Sequence, residues 1–426
     1  MSYTDLTTNE LQKLETTLTK AYADYKGRGL NLDLTRGKPA ADQLDLANEL
    51  DGILNGFYLL QDGTDVRNYG GLLGIPEARQ LGAEMLDCRP EHIMVGGNSS
   101  LNLMYTYVDF MLQTVWRAEA EVAQESIKFL CPVPGYDRHF TICEHFGIDM
   151  IPIELSDTGP DMDEVERLVA SDPMIKGIWC VPKYSNPGGQ TYSTETVKRF
   201  AQLRVKAGED FRIIWDNAYA VHHLADQHDS LLSLMDEAEK LNSEATVVIF
   251  GSTSKITFAG AGISFIGVSP ANLGAYERYM AISTIGFDKV NQLRHVRFLK
   301  DSNGIGAHME KHRTLIEPKF QAVLDALETE LSETGIAQWS KPRGGYFISL
   351  NTRPGLARKI VQLAGEIGVK LTPAGATYPY GLDPKDENIR IAPTYPTTSS
   401  LKQAVEVLIT CIKLASVRQL LGNDNE

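Results

Sequence analysis

The chain of 426 residues is long enough for two domains with a substantial core. Its 43% hydrophobic and 23% charged content suits a folded globular protein, and a formal charge of −14 opposes nucleic acid and anionic membranes at long range. Five scattered cysteines without a CxxC pair argue against a disulfide framework or a structural metal site. No secretory leader and no run of ~20 apolar residues stands out, so the expectation is a cytoplasmic protein with no membrane partner.

Taken in chain order, residues 7–25 carry Leu11, Leu14, Leu18 and Tyr22 at helical spacing. LNLDLTRGKP then reads as an extended segment broken by Gly37 and Pro39. From about residue 90 short apolar runs alternate with helical stretches. The helix SSLNLMYTYVDFMLQTVW is followed by the strands IKFLCP, IDMIPIEL and IKGIWCVP. Next come the helix ETVKRFAQLRVKAG and the strands RIIWD and TVVIF. That alternation predicts an α/β fold with a mostly parallel sheet, whose ligand sites lie beyond the carboxyl ends of the strands. After about residue 300 a long helix over 306–333 leads into GGYFISL, another helix, GVKLTP, NIRIAP and a final helix over 398–420. This predicts a smaller α+β domain. The acidic tail GNDNE is expected to fray.

Four of the strand ends carry unusual chemistry. IWCVP runs into KYSNPGGQ, where Asn186-Pro187-Gly188-Gly189 is a turn signal. RIIWD closes at Asp216, followed by Asn217, Ala218 and Tyr219. An aspartate there is either a helix cap or a buried carboxylate that demands a partner. TVVIF runs into GSTSK, which sets Lys255 among Ser252, Thr253 and Ser254. Alone, that lysine is a solvated loop charge or an amine able to form a Schiff base with an aldehyde. HIMVGGNSS places two glycines and then Asn98, Ser99 and Ser100 at a helix start, where free N–H groups and the helix dipole make a phosphate cradle. One cofactor, pyridoxal 5′-phosphate, uses a phosphate cup, a buried acid, a hydrogen-bonding Asn and Tyr, and an amine.

With these motifs the chain resembles a class I, fold type I aminotransferase over nearly its whole length. TRGKP, NYGGLLGIPEAR, PVPGYDRHF, PRGGYF and NIRIAP fall at that family's landmarks. More narrowly it is similar to the bacterial aspartate aminotransferases of subgroup 1c. The resemblance implies an N-terminal arm with part of the small domain at 1–48, a large cofactor-binding domain at 49–300 and a C-terminal small domain at 301–426. It also implies ping-pong transfer of an amino group from an L-amino acid, aspartate foremost, to 2-oxoglutarate.

The implied roles follow residue by residue. Lys255 would hold the cofactor covalently and move the proton, and Asp216 would pair with the pyridine nitrogen. Asn186 and Tyr219 would hold the phenolic oxygen, with a cis peptide expected before Pro187. Asn98, Ser99, Ser100, Ser252 and Ser254 are candidate phosphate ligands. Arg390 would clamp the substrate α-carboxylate, for which a guanidinium fork is suited. Gly37 would let the backbone approach the substrate. Tyr69 would reach the phosphate of a neighbouring subunit, which implies a homodimer with shared active sites.

The chain departs from the family pattern in three places. Ile263 and Ser264 stand where the family commonly has a phosphate-binding arginine, making Ser264 the candidate replacement. Val133 falls at the ring-stacking position, so either stacking is weaker here or Tyr136 supplies the ring through a shifted loop, the latter being the expectation. No arginine falls at the distal-carboxylate position; of Arg36, Lys38, Lys289 and Arg294, the expectation rests on Arg36 or Lys38 beside Gly37. Rival readings are another aminotransferase specificity or a β-lyase on the same fold, a non-catalytic effector-sensing protein, and a nucleotide-dependent enzyme. GVSPAN and GGNSS fit neither nucleotide glycine pattern.

Overall fold

A computed structural model describes residues 2–423. Of the tail expected to fray, residues 424–426 lie outside the described residues. The strands are β1 (Leu32–Asp33), β2 (Ile93–Gly96), β3 (Lys128–Val133), β4 (Asp149–Ser156), β5 (Gly159–Pro160), β6 (Ile175–Cys180) and β7 (Arg212–Asp216). They continue with β8 (Val247–Ser252), β9 (Ser264–Val268), β10 (Ala337–Trp339), β11 (Ile348–Thr352), β12 (Val369–Lys370) and β13 (Asn388–Ile391).

Eight of these form the central sheet, in the order β2-β9-β8-β7-β6-β3-β4-β5. The run β8-β7-β6-β3-β4 is parallel throughout. Its strands β6 and β7 are buried at every position, as expected where helices cover both faces. The alternation of a pleated strand assigns their side chains to two cores. Ile213, Trp215, Val247 and Ile249 enter one, while Ile214, Val248 and Phe250 enter the other. β9 is antiparallel to both of its neighbours, a strand the sequence reading passed over. It returns directly from the lysine segment, with no crossover helix in between.

The helix expected over SSLNLMYTYVDFMLQTVW runs from Ser100 to Met111 and continues through a wider turn, Leu112–Trp116, into Arg117–Ala123. The remaining strands form two small sheets, β10-β11-β13 antiparallel and β1 with β12 parallel. Helix Thr8–Lys26 starts at a reciprocal cap between Thr7 and Glu10. It packs Leu11 and Leu18 into a third core shared with the final helix, Thr398–Leu421. The 30-residue helix Ser302–Leu331 links the cores. Ile305 and Met309 belong to the core against the sheet, whereas Ile316, Phe320, Val323 and Leu327 belong to the third.

Candidate active site

Because β2, β3, β6, β7 and β8 all run in the same direction, the segments leaving them converge on one edge of the sheet. They enclose a cavity of about 140 Å³. Ser99 and Ser100 line it after β2, Tyr136 after β3, and Asn186 after β6. Asp216 at the end of β7, Tyr219 just beyond it, and Ser252, Ser254 and Lys255 at the end of β8 complete the lining.

Asp216 is 2% exposed and accepts a hydrogen bond at Oδ2 from His139 Nε2 at 3.0 Å. The His139 ring lies flat on Trp179, with centroids 4.3 Å apart, which fixes its plane. The other oxygen, Oδ1, is buried without a partner, a costly arrangement for a carboxylate unless a donor arrives there. Lys255 Nζ stands 5.1 Å from the centre of the Tyr219 ring. Burial pulls the lysine below its ordinary pKa, and the charge of Asp216 opposes that shift. The phenols of Tyr219 and Tyr136 are pushed up, chiefly by burial, and stay protonated as donors at neutral pH. Asn186 is buried, and the peptide before Pro187 is cis, as is the one before Pro134.

The small polar residues differ in placement. Ser99 caps helix Ser100–Met111 by backbone conformation only, so its hydroxyl makes no capping bond. Ser252 donates to Ser254 at 3.1 Å, and Ser254 donates to the Asn98 carbonyl at 2.7 Å. The Asn98 amide is turned to the Gly260 carbonyl at 3.3 Å. Ser264 is fully buried and donates to the Gly97 carbonyl at 2.8 Å, backing the cup rather than lining the cavity.

Arg390, on β13, is 7% exposed. Its Nη1 donates to Asp137 at 2.9 Å and to Asn186 Oδ1 at 3.3 Å. Its Nε is buried and unpartnered, so the fork retains a donor for a further acceptor. The guanidinium lies 4.9 Å over the Phe347 ring. Gly37 packs on the same ring: a Cβ there would stand 2.2 Å from Phe347 Cζ. Any larger residue would displace the ring beneath Arg390.

Besides Asn98, Ser264, Gly37 and Arg390, three further expected site residues lie outside the cavity lining. Arg36 is exposed, and Lys38 Nζ sits 4.0 Å over the Tyr395 ring. Tyr69 is 82% exposed on the surface of its own protomer. The sequence reading also passed over His139, Asp137 and the buried pair His308 and His312. Signals for them existed. His139 follows Tyr136 by one helical turn, and AHMEKH places two histidines four apart, on one helix face.

The sheet order and strand-end cavity are those of a fold type I aminotransferase. An aspartate transaminase of Corynebacterium glutamicum superposes with a TM-score of 0.94, at 42% identity over 99% of both chains. The α-aminoadipate aminotransferase LysN of Thermus thermophilus, solved with N-(5′-phosphopyridoxyl)-L-leucine, shares the fold, with a TM-score of 0.75 over 94% of this chain and 95% of that one at 21% identity. The aspartate amino-transferase family matches residues 6–424, and the chain belongs to it. An aspartate aminotransferase of Corynebacterium glutamicum is 44% identical over 93% of this chain and 92% of its own length. The protein is an aminotransferase.

Proposed function

We propose that the protein moves the amino group of L-aspartate to 2-oxoglutarate, using pyridoxal 5′-phosphate in the strand-end cavity. The observation that carries this is the partnerless oxygen of Asp216, buried in the same cavity as the amine of Lys255. A protonated pyridine nitrogen satisfies that oxygen. The hydroxyls of Ser99, Ser100, Ser252 and Ser254, with the N–H groups opening helix Ser100–Met111, suit a phosphate. The aspartate aminotransferase among the relatives, at 44% identity, supports the choice of substrate.

When bound, the cofactor supplies an electron sink for the substrate Cα–H bond. The protein's share is positional and protonic. Asp216, steadied by His139, holds a proton at the ring nitrogen through a charge-assisted bond. Lys255, with its pKa lowered by burial, is the group that would take the proton from the substrate Cα and deliver it to the cofactor carbon bonded to the amino nitrogen. Asn186 and Tyr219 would hold the cofactor's phenolic oxygen, and Tyr136 would supply an aromatic ring beside it. Arg390 offers its free donors to the substrate α-carboxylate, and Arg36 or Lys38 reads the distal one.

Tyr69 completes the site of a second copy. Lys289 Nζ donates to the Gly70 carbonyl at 2.6 Å, tying the Tyr69 loop to the start of helix Lys289–Leu299. Ile282 and Ile285, just before that helix, are 85% and 64% exposed, an apolar surface suited to a homodimer.

The test is the visible absorption of the purified, cofactor-loaded protein. A band lost on adding L-aspartate and restored by 2-oxoglutarate supports the reading. A band indifferent to aspartate removes the substrate assignment. A Lys255→Ala variant with wild-type turnover removes the mechanism.

A further inference from the structure

The backbone at Lys255 is gripped by a buried set of side chains that the transamination chemistry leaves unused. The Lys255 carbonyl accepts from the Tyr346 hydroxyl at 3.3 Å and from His222 Nε2 at 3.4 Å. The next carbonyl, of Ile256, accepts from His308 Nε2 at 2.7 Å and His312 Nε2 at 2.9 Å. These donors come from three places: the turn after β7, the segment before β11, and helix Ser302–Leu331. All four are at most 5% exposed.

Gln43, fully buried in the short helix Ala41–Asp45, joins two of them. Its Nε2 donates to the Tyr346 oxygen at 2.9 Å and to His312 Nδ1 at 3.3 Å. Its Oε1 accepts the Ala40 N–H at 3.1 Å.

One arrangement of protons satisfies the links among Gln43, Tyr346, His312 and the two carbonyls, while His222 Nδ1 stays buried without a partner. His312 carries its proton on Nε2, toward Ile256, and accepts at Nδ1. Tyr346 accepts from Gln43 and donates to Lys255. Burial holds His222, His308 and His312 below their ordinary pKa, which keeps them neutral. Four donors on two successive carbonyls pin the peptide from which the Lys255 side chain springs, and so limit the arc its amine can sweep.

We propose that Gln43 is a positioning residue for the amine of Lys255, acting through Tyr346 and His312. The proposal rests on the reading of Lys255 as the cofactor-holding, proton-moving group. The linked set Gln43, Tyr346 and His312 specifies one geometry, because each of the three depends on its neighbour.

The experiment compares cofactor-loaded wild type, Gln43→Met, Tyr346→Phe and the double variant. It follows the pH midpoint of the visible band, which reports the proton at the Lys255 nitrogen, together with kcat and KM. Each single substitution is expected to move the midpoint by about half a unit or more. Each is also expected to lower kcat about tenfold, with KM changed by less than about twofold. The double variant should lose less than the product of the singles, since both act on the same bond.

Wild-type midpoints in both single variants, or fully multiplicative losses, would overturn the proposal and leave the cluster as packing. Should Gln43→Met fail to fold, the midpoint of Tyr346→Phe, which lacks a single hydroxyl, decides alone. A wild-type protein that shows no band when loaded overturns the Lys255 reading itself, and this proposal with it.

Discussion

Asp216 offers one oxygen to His139 and keeps the other free, so its two halves have separate duties. Asp216→Asn retains the shape but not the charge. Turnover is expected to fall by about 10²-fold or more, the scale seen when one preorganised charge-stabilising contact is removed. The same substitution acts on Lys255 in the cofactor-free protein. Burial lowers the lysine pKa and Asp216 raises it, so without Asp216 burial alone remains and the pKa falls further. The pH dependence of Lys255 acylation, read by mass spectrometry, should therefore shift to lower pH. A shift upward would contradict the assigned balance. Asp137 is the second residue with a divisible role, since it both orients Arg390 and offsets its charge. Asp137→Asn keeps an acceptor for Nη1, whereas Asp137→Ala removes it. The KM for aspartate should be about threefold higher in the alanine variant than in the asparagine variant, a difference of about 0.7 kcal/mol. Equal KM values would mean that orientation through Asp137 is immaterial.

At the scale of elements, helix Lys289–Leu299 shows how a buried histidine makes stability depend on pH. His295 donates from Nδ1 to the Asn291 carbonyl at 2.8 Å and accepts at Nε2 from Thr257 at 2.9 Å, which requires the neutral ring. Burial lowers its pKa to about 4. Between the unfolded value of about 6.5 and that folded value, the unfolded chain binds the proton and the native one does not. Stability is thus complete above about pH 6.5 and falls as the pH drops toward 4, by at most about 1.4 kcal/mol per unit for this group. Urea melts across that range should show the loss, and His295→Gln should make it shallower, leaving the share of the other buried histidines. An unchanged slope would place the titrating groups elsewhere.

The elements also show what could be read without coordinates. Strands β6, β7 and β8 stood out because each carries bulky apolar residues just ahead of a polar signal, and the chemistry sits at those ends. β9 did not, because SFIGV follows a glycine-rich stretch and its antiparallel pairing is a tertiary choice, invisible to periodicity. The candidate cavity was legible where one residue type has one use, as at Lys255 and Asp216. Ser264 was not: a hydroxyl serves equally as a ligand or as an internal donor, and only packing against the Gly97 carbonyl decides. The partners of Arg390 lie more than 200 positions away, beyond the reach of any local pattern.

For the whole molecule, the exposed Tyr69, Ile282 and Ile285 bear on assembly. Sedimentation is expected to give twice the chain mass. Charged replacements, Ile282→Glu with Ile285→Glu, should yield monomers with lowered turnover if, as proposed, Tyr69 completes a neighbour's site. A fully active monomer would refute the shared site. The third core has a different consequence, which concerns the making of the protein. Helix Thr8–Lys26 leaves the ribosome well before helix Thr398–Leu421, on which its apolar face rests, and the Glu15–Arg418 pair spans 403 positions. At synthesis rates of about 5–20 residues per second, that face waits on the order of 20–80 s for its cover. During that interval the nascent chain is an exposed amphipathic helix, a natural client for a holding chaperone.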